Sequence, residues 1–116
     1  MISEDRLYSR GDVVVVPFPF TDRSSIKRRP AVVLNEVQFQ MSSGHVVLGM
    51  ITSTTGPQWP DDVPLSDPES AGLSGQSRFR PKLATLADDL VIRRAGRLAA
   101  SDAQAVAGVI SRILGS

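Results

Sequence analysis

The stretch DVVVVPFPF, residues 12–20, sets four consecutive valines beside two phenylalanines and two prolines. β-branched and aromatic residues fit the pleated surface of a strand. Pro17 and Pro19 cannot donate to a ladder, so the strand must end there or run along an edge. Downstream, TDRSS (21–25) is rich in turn residues. AVVLNEV (31–37), opened by Pro30 and followed by the polar QFQMSSG, reads as a second strand, and HVVLGMITST (45–54) as a third. Prolines 57, 60, 64 and 68 surround a short DVPL, which leaves room for one edge strand between long loops. SRFRPKLATL (77–86) and LVIRRAGRL (90–98) are two further short strands.

The period changes at the end of the chain. Ser101 is a suitable N-cap, and Asp102 adds negative charge to a first helical turn. Ala103, Val106, Ala107, Ile110, Ile113 and Leu114 follow helical spacing, with Gly115 at the stop. Short strands with one terminal amphipathic helix predict a mainly β domain. The expected form is a small barrel or strongly bent antiparallel sheet, with the C-terminal α-helix packed over one opening. The 116 residues suit one domain, 1–116, without repeats or an interdomain linker. The loop over residues 55–75 is long for such a domain, and long loops are often functional.

Composition excludes several classes. The chain has no cysteine, hence no disulfide framework or thiolate metal site, and its single histidine, His45, rules out a histidine-rich zinc site. No apolar run reaches membrane-spanning length and the N-terminus lacks a signal-peptide core, so the expected compartment is the cytoplasm, with no membrane partner. A net charge of +1 attracts no polyanion by itself, but eleven of the thirteen cations are arginine. Arginine's planar fork suits bidentate contact with phosphate or carboxylate. The cations gather at Arg23, Lys27, Arg28 and Arg29, at Arg78, Arg80 and Lys82, and at Arg93, Arg94 and Arg97.

Most local motifs have ordinary readings. The RGD at residues 10–12 places Gly11 where the chain turns into the first strand. Trp59, among prolines, could stack a base or cover a core edge. The acids around Asp61 suit a solvated loop. No nucleophilic triad, phosphate-cradling glycine loop or paired carboxylate is evident. KRRP (27–30) remains, with two readings: a solvated basic loop, or an anion site on a rigid strand start. Pro30 restricts Arg29 to an extended backbone, which limits where its guanidinium can point. In an antiparallel meander, the hydroxyl-rich ITSTT (51–55) ends beside that start, bringing Thr52 or its neighbours near Arg29.

Taken in order, GDVVVVPFPFTD, KRRPAVVLN, GMITST and RFRPKLATLADDLVIRRAGRL resemble the MazF/PemK-type toxins of bacterial toxin–antitoxin pairs, over about residues 10–114. The resemblance implies an SH3-like barrel with a C-terminal helix, a homodimer, and an endoribonuclease that cuts single-stranded RNA, messenger RNA included, at selected sequences. It implies no metal or other cofactor, and a cognate antitoxin that lays an acidic segment over the RNA groove. By position, Arg29 and Thr52 are the implied catalytic pair. Arg29 would stabilise phosphate charge and Thr52 would hydrogen-bond a phosphate oxygen or orient the 2′-hydroxyl. Lys27, Arg28, Ser53, Thr54, Arg78, Arg80 and Lys82 are the implied RNA contacts. His45 has the side chain of a general base but no supporting motif. Two departures stand out: Arg80-Pro81-Lys82 lacks the acid some relatives carry there, and the 21–27 loop, TDRSSIK, lacks a frequent glycine. The alternative is a non-catalytic toxin or an RNA- or protein-binding module on the same barrel, gyrase-poison-like or a degenerate nuclease. Gyrase-poison relatives act through an aromatic near the C-terminus, whereas this chain has none after Phe79.

Overall fold

The computed structural model describes residues 4–18 and 27–115. Pro19, Phe20 and the 21–25 turn expected from the sequence lie outside the described residues. The chain runs as β1 (Asp12–Phe18), β2 (Lys27–Val33), α1 (Val37–Ser43), β3 (His45–Ser53), β4 (Val63–Pro64), β5 (Ser77–Ala87), β6 (Arg93–Arg97) and α2 (Ala100–Leu114), with single 3₁₀ turns at Glu4–Arg6 and Asp88–Leu90. The strands form one curled antiparallel sheet in the order β4-β5-β3-β2-β1-β6. The mainly β, half-barrel architecture with a C-terminal helix is the one expected.

Both faces of this sheet are buried, which explains the unbroken valine run. Val14, Val16, Ala31, Val33, Leu48 and Met50 pack together on one face with Tyr8 and Val91. Val13, Val32, Ile51 and Phe79 turn to the other, where Val106 and Val109 of α2 cover them. Alternate residues along one strand therefore enter different cores. Gly49 of β3 makes the second core possible. A Cβ there would collide with the Phe79 ring, itself fully buried.

The prolines sit where a missing donor does little harm. β6 pairs with β1 only from Asp12 to Val15, so Pro17 lies beyond the end of that ladder. Strand alternation points its nitrogen to the β6 side, the side on which the Val15 carbonyl accepts from Ile92. Pro81 falls in a bulge of β5, where Met50 faces Arg80 while the preceding Gly49 faces Leu83. The sheet does not close through hydrogen bonds between β4 and β6. Instead the 68–73 turn crosses from one edge to the other, and Ser70 accepts the Arg97 amide at 3.1 Å. Gly72, at φ 78°, permits this crossing, since its Cβ would run into the Ala95 carbonyl.

Several local expectations are corrected. The second strand begins at Lys27, not Pro30, so the basic run is part of the ladder rather than a loop before it. Residues 34–36 leave that strand, and α1 begins at Val37 and takes in the polar segment that follows. This short helix has no side-chain cap; Gln40, fully buried, holds it by accepting from the Tyr8 amide and donating to the Arg6 carbonyl and Asp88 carboxylate. Ser101 is not the N-cap of α2, which starts one residue earlier after Ala99. Asp102 instead turns its buried carboxylate to the amides of Ser66 and Asp67, at 2.8 and 3.0 Å. Gly115 ends α2 at φ 74°, as expected, but Ile113 and Leu114 of the final turn are exposed.

Candidate functional site

β2 and β3 pair antiparallel, with Ala31 opposite Met50. Continuing that register two residues sets Arg29 opposite Thr52, and Thr52 is in turn opposite Arg78 of β5. Directly opposed residues project to the same face. Three neighbouring strands thus carry Arg29, Thr52 and Arg78 in one row. Arg29 and Thr52 both line a single cavity of about 530 Å³, together with Lys27, Arg28, Ser53 and the 73–77 segment. Consecutive residues of both strands contribute, so the cavity lies across their ends. Among the described residues lining it are three cations and no carboxylate or imidazole. Among the described residues no ion pair ties Arg29 to an acid. A concave wall with one sign of charge concentrates field lines and draws anions.

Hydroxyls supply the neutral donors. Thr52, Ser53, Ser74 and Ser77 line the cavity, and Ser53 Oγ shares a hydrogen bond with Thr55 at 2.8 Å. Leu73, Ser74, Gly75, Gln76 and Ser77 escaped the sequence reading, which placed function in a long loop without locating it. Their only local signal is the small polar composition SGQS.

Arg78 and Arg80 are placed otherwise than expected. Neither lines the cavity. The Arg78 side chain is 7% exposed and its Nε lies 3.2 Å from Asp62, whose side chain is fully buried. That contact is an ion pair without hydrogen-bond alignment. Arg78 Nη2 donates to the carbonyls of Gly56 and Pro57, at 2.7 and 2.9 Å. Arg80 grips Asp62 bidentately, at 3.1 and 2.9 Å, and donates to the Pro57 carbonyl at 2.6 Å. The expected phosphate contacts are engaged internally, holding the loop that follows Thr52. Asp62 is correspondingly no solvated acid. Burial opposes its ionisation, but the Arg80 hydrogen bonds, the Trp59 amide and the charges of Arg80 and Arg78 together hold its pKa below the ordinary 3.8.

The remaining expected residues are dispersed. Thr54 is exposed just beyond β3, and Lys82 sits in the β5 bulge, and neither lines the cavity. His45 begins β3 and Thr52 nearly ends it. Seven residues at about 3.3 Å each separate them by roughly 23 Å, too far for a base acting at Arg29. The RGD stretch is structural: Gly11 turns at φ 93°, and buried Asp12 pairs with Arg97 at 2.6 Å and Arg94 at 3.4 Å.

Comparison with known proteins agrees with this architecture. A search of curated proteins returned no sequence match. Solved structures share the fold at low identity. A MazF from Deinococcus radiodurans superposes with a TM-score of 0.73 at 20% identity, covering 95% of this chain and 98% of that one. An endoribonuclease from a mycobacterial species, solved with its cognate antitoxin, gives 0.72 at 16%, covering 94% of each chain. The Mycobacterium tuberculosis toxin MazF-mt6 gives 0.70 at 22%, covering 90% and 96%. Residues 9–114 match the family described as PemK-like, MazF-like toxin of type II toxin-antitoxin system. The chain is therefore a member of the PemK-like, MazF-like toxin family.

Proposed function

We propose that this protein is the toxin of a type II pair and a sequence-selective endoribonuclease, cutting single-stranded RNA in the cytoplasm without a metal ion. Members of this family are generally endoribonucleases, which supports the reading. The observation that carries the reading is the shared cavity of Arg29 and Thr52, which contains three cations and no acid among its described lining residues. An arginine offers five N–H donors and no acceptor, so Arg29 suits charge stabilisation rather than proton removal. The RNA's own 2′-hydroxyl attacks phosphorus and gives up its proton to solvent water while the bond to the 5′-oxygen breaks. The leaving oxygen takes a proton from water, so the products are a 2′,3′-cyclic phosphate and a 5′-hydroxyl. Arg29 stabilises the negative charge that builds on the non-bridging oxygens. Thr52 donates to one of them or orients the 2′-hydroxyl, and Lys27, Arg28 and Ser53 hold the flanking backbone.

The same cavity suits the acidic segment of an antitoxin, which would occlude the RNA path. The relative solved with its cognate antitoxin supports that partner. Two copies would set two such cavities along one groove, and we place the active form as a homodimer.

The test is incubation with a mixed-sequence RNA in EDTA. Wild type should release discrete fragments with 5′-hydroxyl ends, and Arg29→Ala should slow cleavage by about 100-fold or more. Intact RNA, or equal cleavage by wild type and Arg29→Ala, overturns the proposal.

A further inference from the structure

Trp59 takes part in neither buried core, although large aromatics usually do. It is 40% exposed, and the Arg80 guanidinium lies over its ring, 4.8 Å from the centroid. The backbone beneath it is held unusually well for a loop. The Trp59 amide donates to Asp62 Oδ2 at 2.9 Å, and the Asp62 amide returns a bond to the Trp59 carbonyl at 3.2 Å. Two residues earlier, the Pro57 carbonyl accepts from both Arg78 and Arg80. Pro57 and Pro60 restrict the chain on either side. An exposed indole is thus locked in place by a buried acid and two arginines, an arrangement the core does not require.

Its location gives the ring a purpose. Arg78, which anchors the loop, pairs with Thr52, and Arg29 continues the same row. From β2 to β5 is two strand spacings, about 10 Å. A strand of RNA with a phosphate at Arg29 that ran along this row toward β5 would come to the loop that carries Trp59. Stacking on a rigid aromatic favours an unpaired base because no ordering of the ring is needed on binding.

We propose that Trp59 is a base-stacking residue, taking one unpaired RNA base on its exposed surface while Arg80 and Asp62 hold it from behind. This rests on the nuclease reading above and assigns a residue that contributes to site selection there.

Trp59 is the one tryptophan of the chain, so its fluorescence reports on the ring alone. The probe is a set of cleavable-sequence oligonucleotides made as 2′-O-methyl RNA, which cannot be cut, with each base in turn replaced by an abasic unit. Binding is followed by anisotropy of an end label and by tryptophan emission. Wild type should show quenching on binding. One abasic position should abolish it and weaken binding by about 10- to 100-fold. In Trp59→Ala that position should cost nothing further, whereas Trp59→Phe should keep most of the affinity and the same abasic sensitivity. A merely structural tryptophan would lower affinity at every position alike. Binding with unchanged emission, or abasic and Trp59→Ala losses that simply add, overturns the stacking role while leaving the nuclease reading intact. If no oligonucleotide binds and RNA stays uncut, the nuclease reading falls and the stacking role with it.

Discussion

Asp62 shows how a single carboxylate can decide whether a segment is structure or surface. Its side chain is fully buried between Arg78 and Arg80, and the loop carbonyls of Gly56 and Pro57 complete the guanidinium contacts. Such a cluster adds little over an apolar replacement, but removing one member strands the others. Asp62→Ala should lower the unfolding free energy by about 3 to 5 kcal/mol, read from urea denaturation, because Arg78 is left charged and dry. The pH dependence has a definite sign. Because the folded pKa of Asp62 is depressed, its contribution is complete above the ordinary 3.8 and is lost as pH falls below that through the folded value. Wild type should therefore lose stability below about pH 4 more steeply than Asp62→Asn, which has no proton to take up there. Equal acid slopes for the two proteins would contradict the assignment.

Among the elements, α2 depends on a contact outside itself. Its N-cap Ala99 offers no side-chain bond, and Asp102 in its first turn reaches across to residues 66 and 67. The Ser66 hydroxyl adds a third bond at 2.9 Å. One carboxylate thus ties the helix to the segment that crosses between the sheet edges. Asp102→Ala should cost about 2 to 3 kcal/mol, since two amides lose a charged acceptor. Asp102→Asn, which keeps an oxygen but loses the charge, should recover part of that loss in thermal denaturation. Ser101→Ala should be nearly silent, because that side chain does not cap the helix.

For the molecule as a whole, charge placement matters more than the net value. Single-stranded binding changes with salt by about 0.7 log units per neutralised phosphate. Lys27, Arg28 and Arg29 together predict a log–log slope near −2, and Arg28→Ala should reduce it by about 0.7. A slope near zero would remove phosphate contact from the account. Assembly is testable separately. Ile113 and Leu114 at the end of α2 are exposed, a small cavity with a mostly apolar lining lies between that helix and β2, and sheet edges favour cover. Sedimentation at micromolar concentration should give a dimer, and a monomer would contradict the paired-groove arrangement.

The β-to-helix order, the third strand, the edge strand and the glycine stop of α2 were legible because strand-forming runs, helical periodicity and turn residues are local properties. The pairing of Arg29 with Thr52 was half legible: Pro30 marks an extended backbone, but the facing partner depends on register. α1 was not legible, since seven polar and mixed residues become helical only when Gln40 finds three distant partners. The fates of the arginines were the least readable. Arg28, Arg29, Arg78 and Arg80 look alike in the sequence, yet two face an open cavity and two are held by Asp62. A side chain's charge is written into its identity. Whether that charge is free for a ligand depends on which acid the folded sheet brings beside it, and Asp62 lies sixteen residues from Arg78 along the chain and one strand away in space.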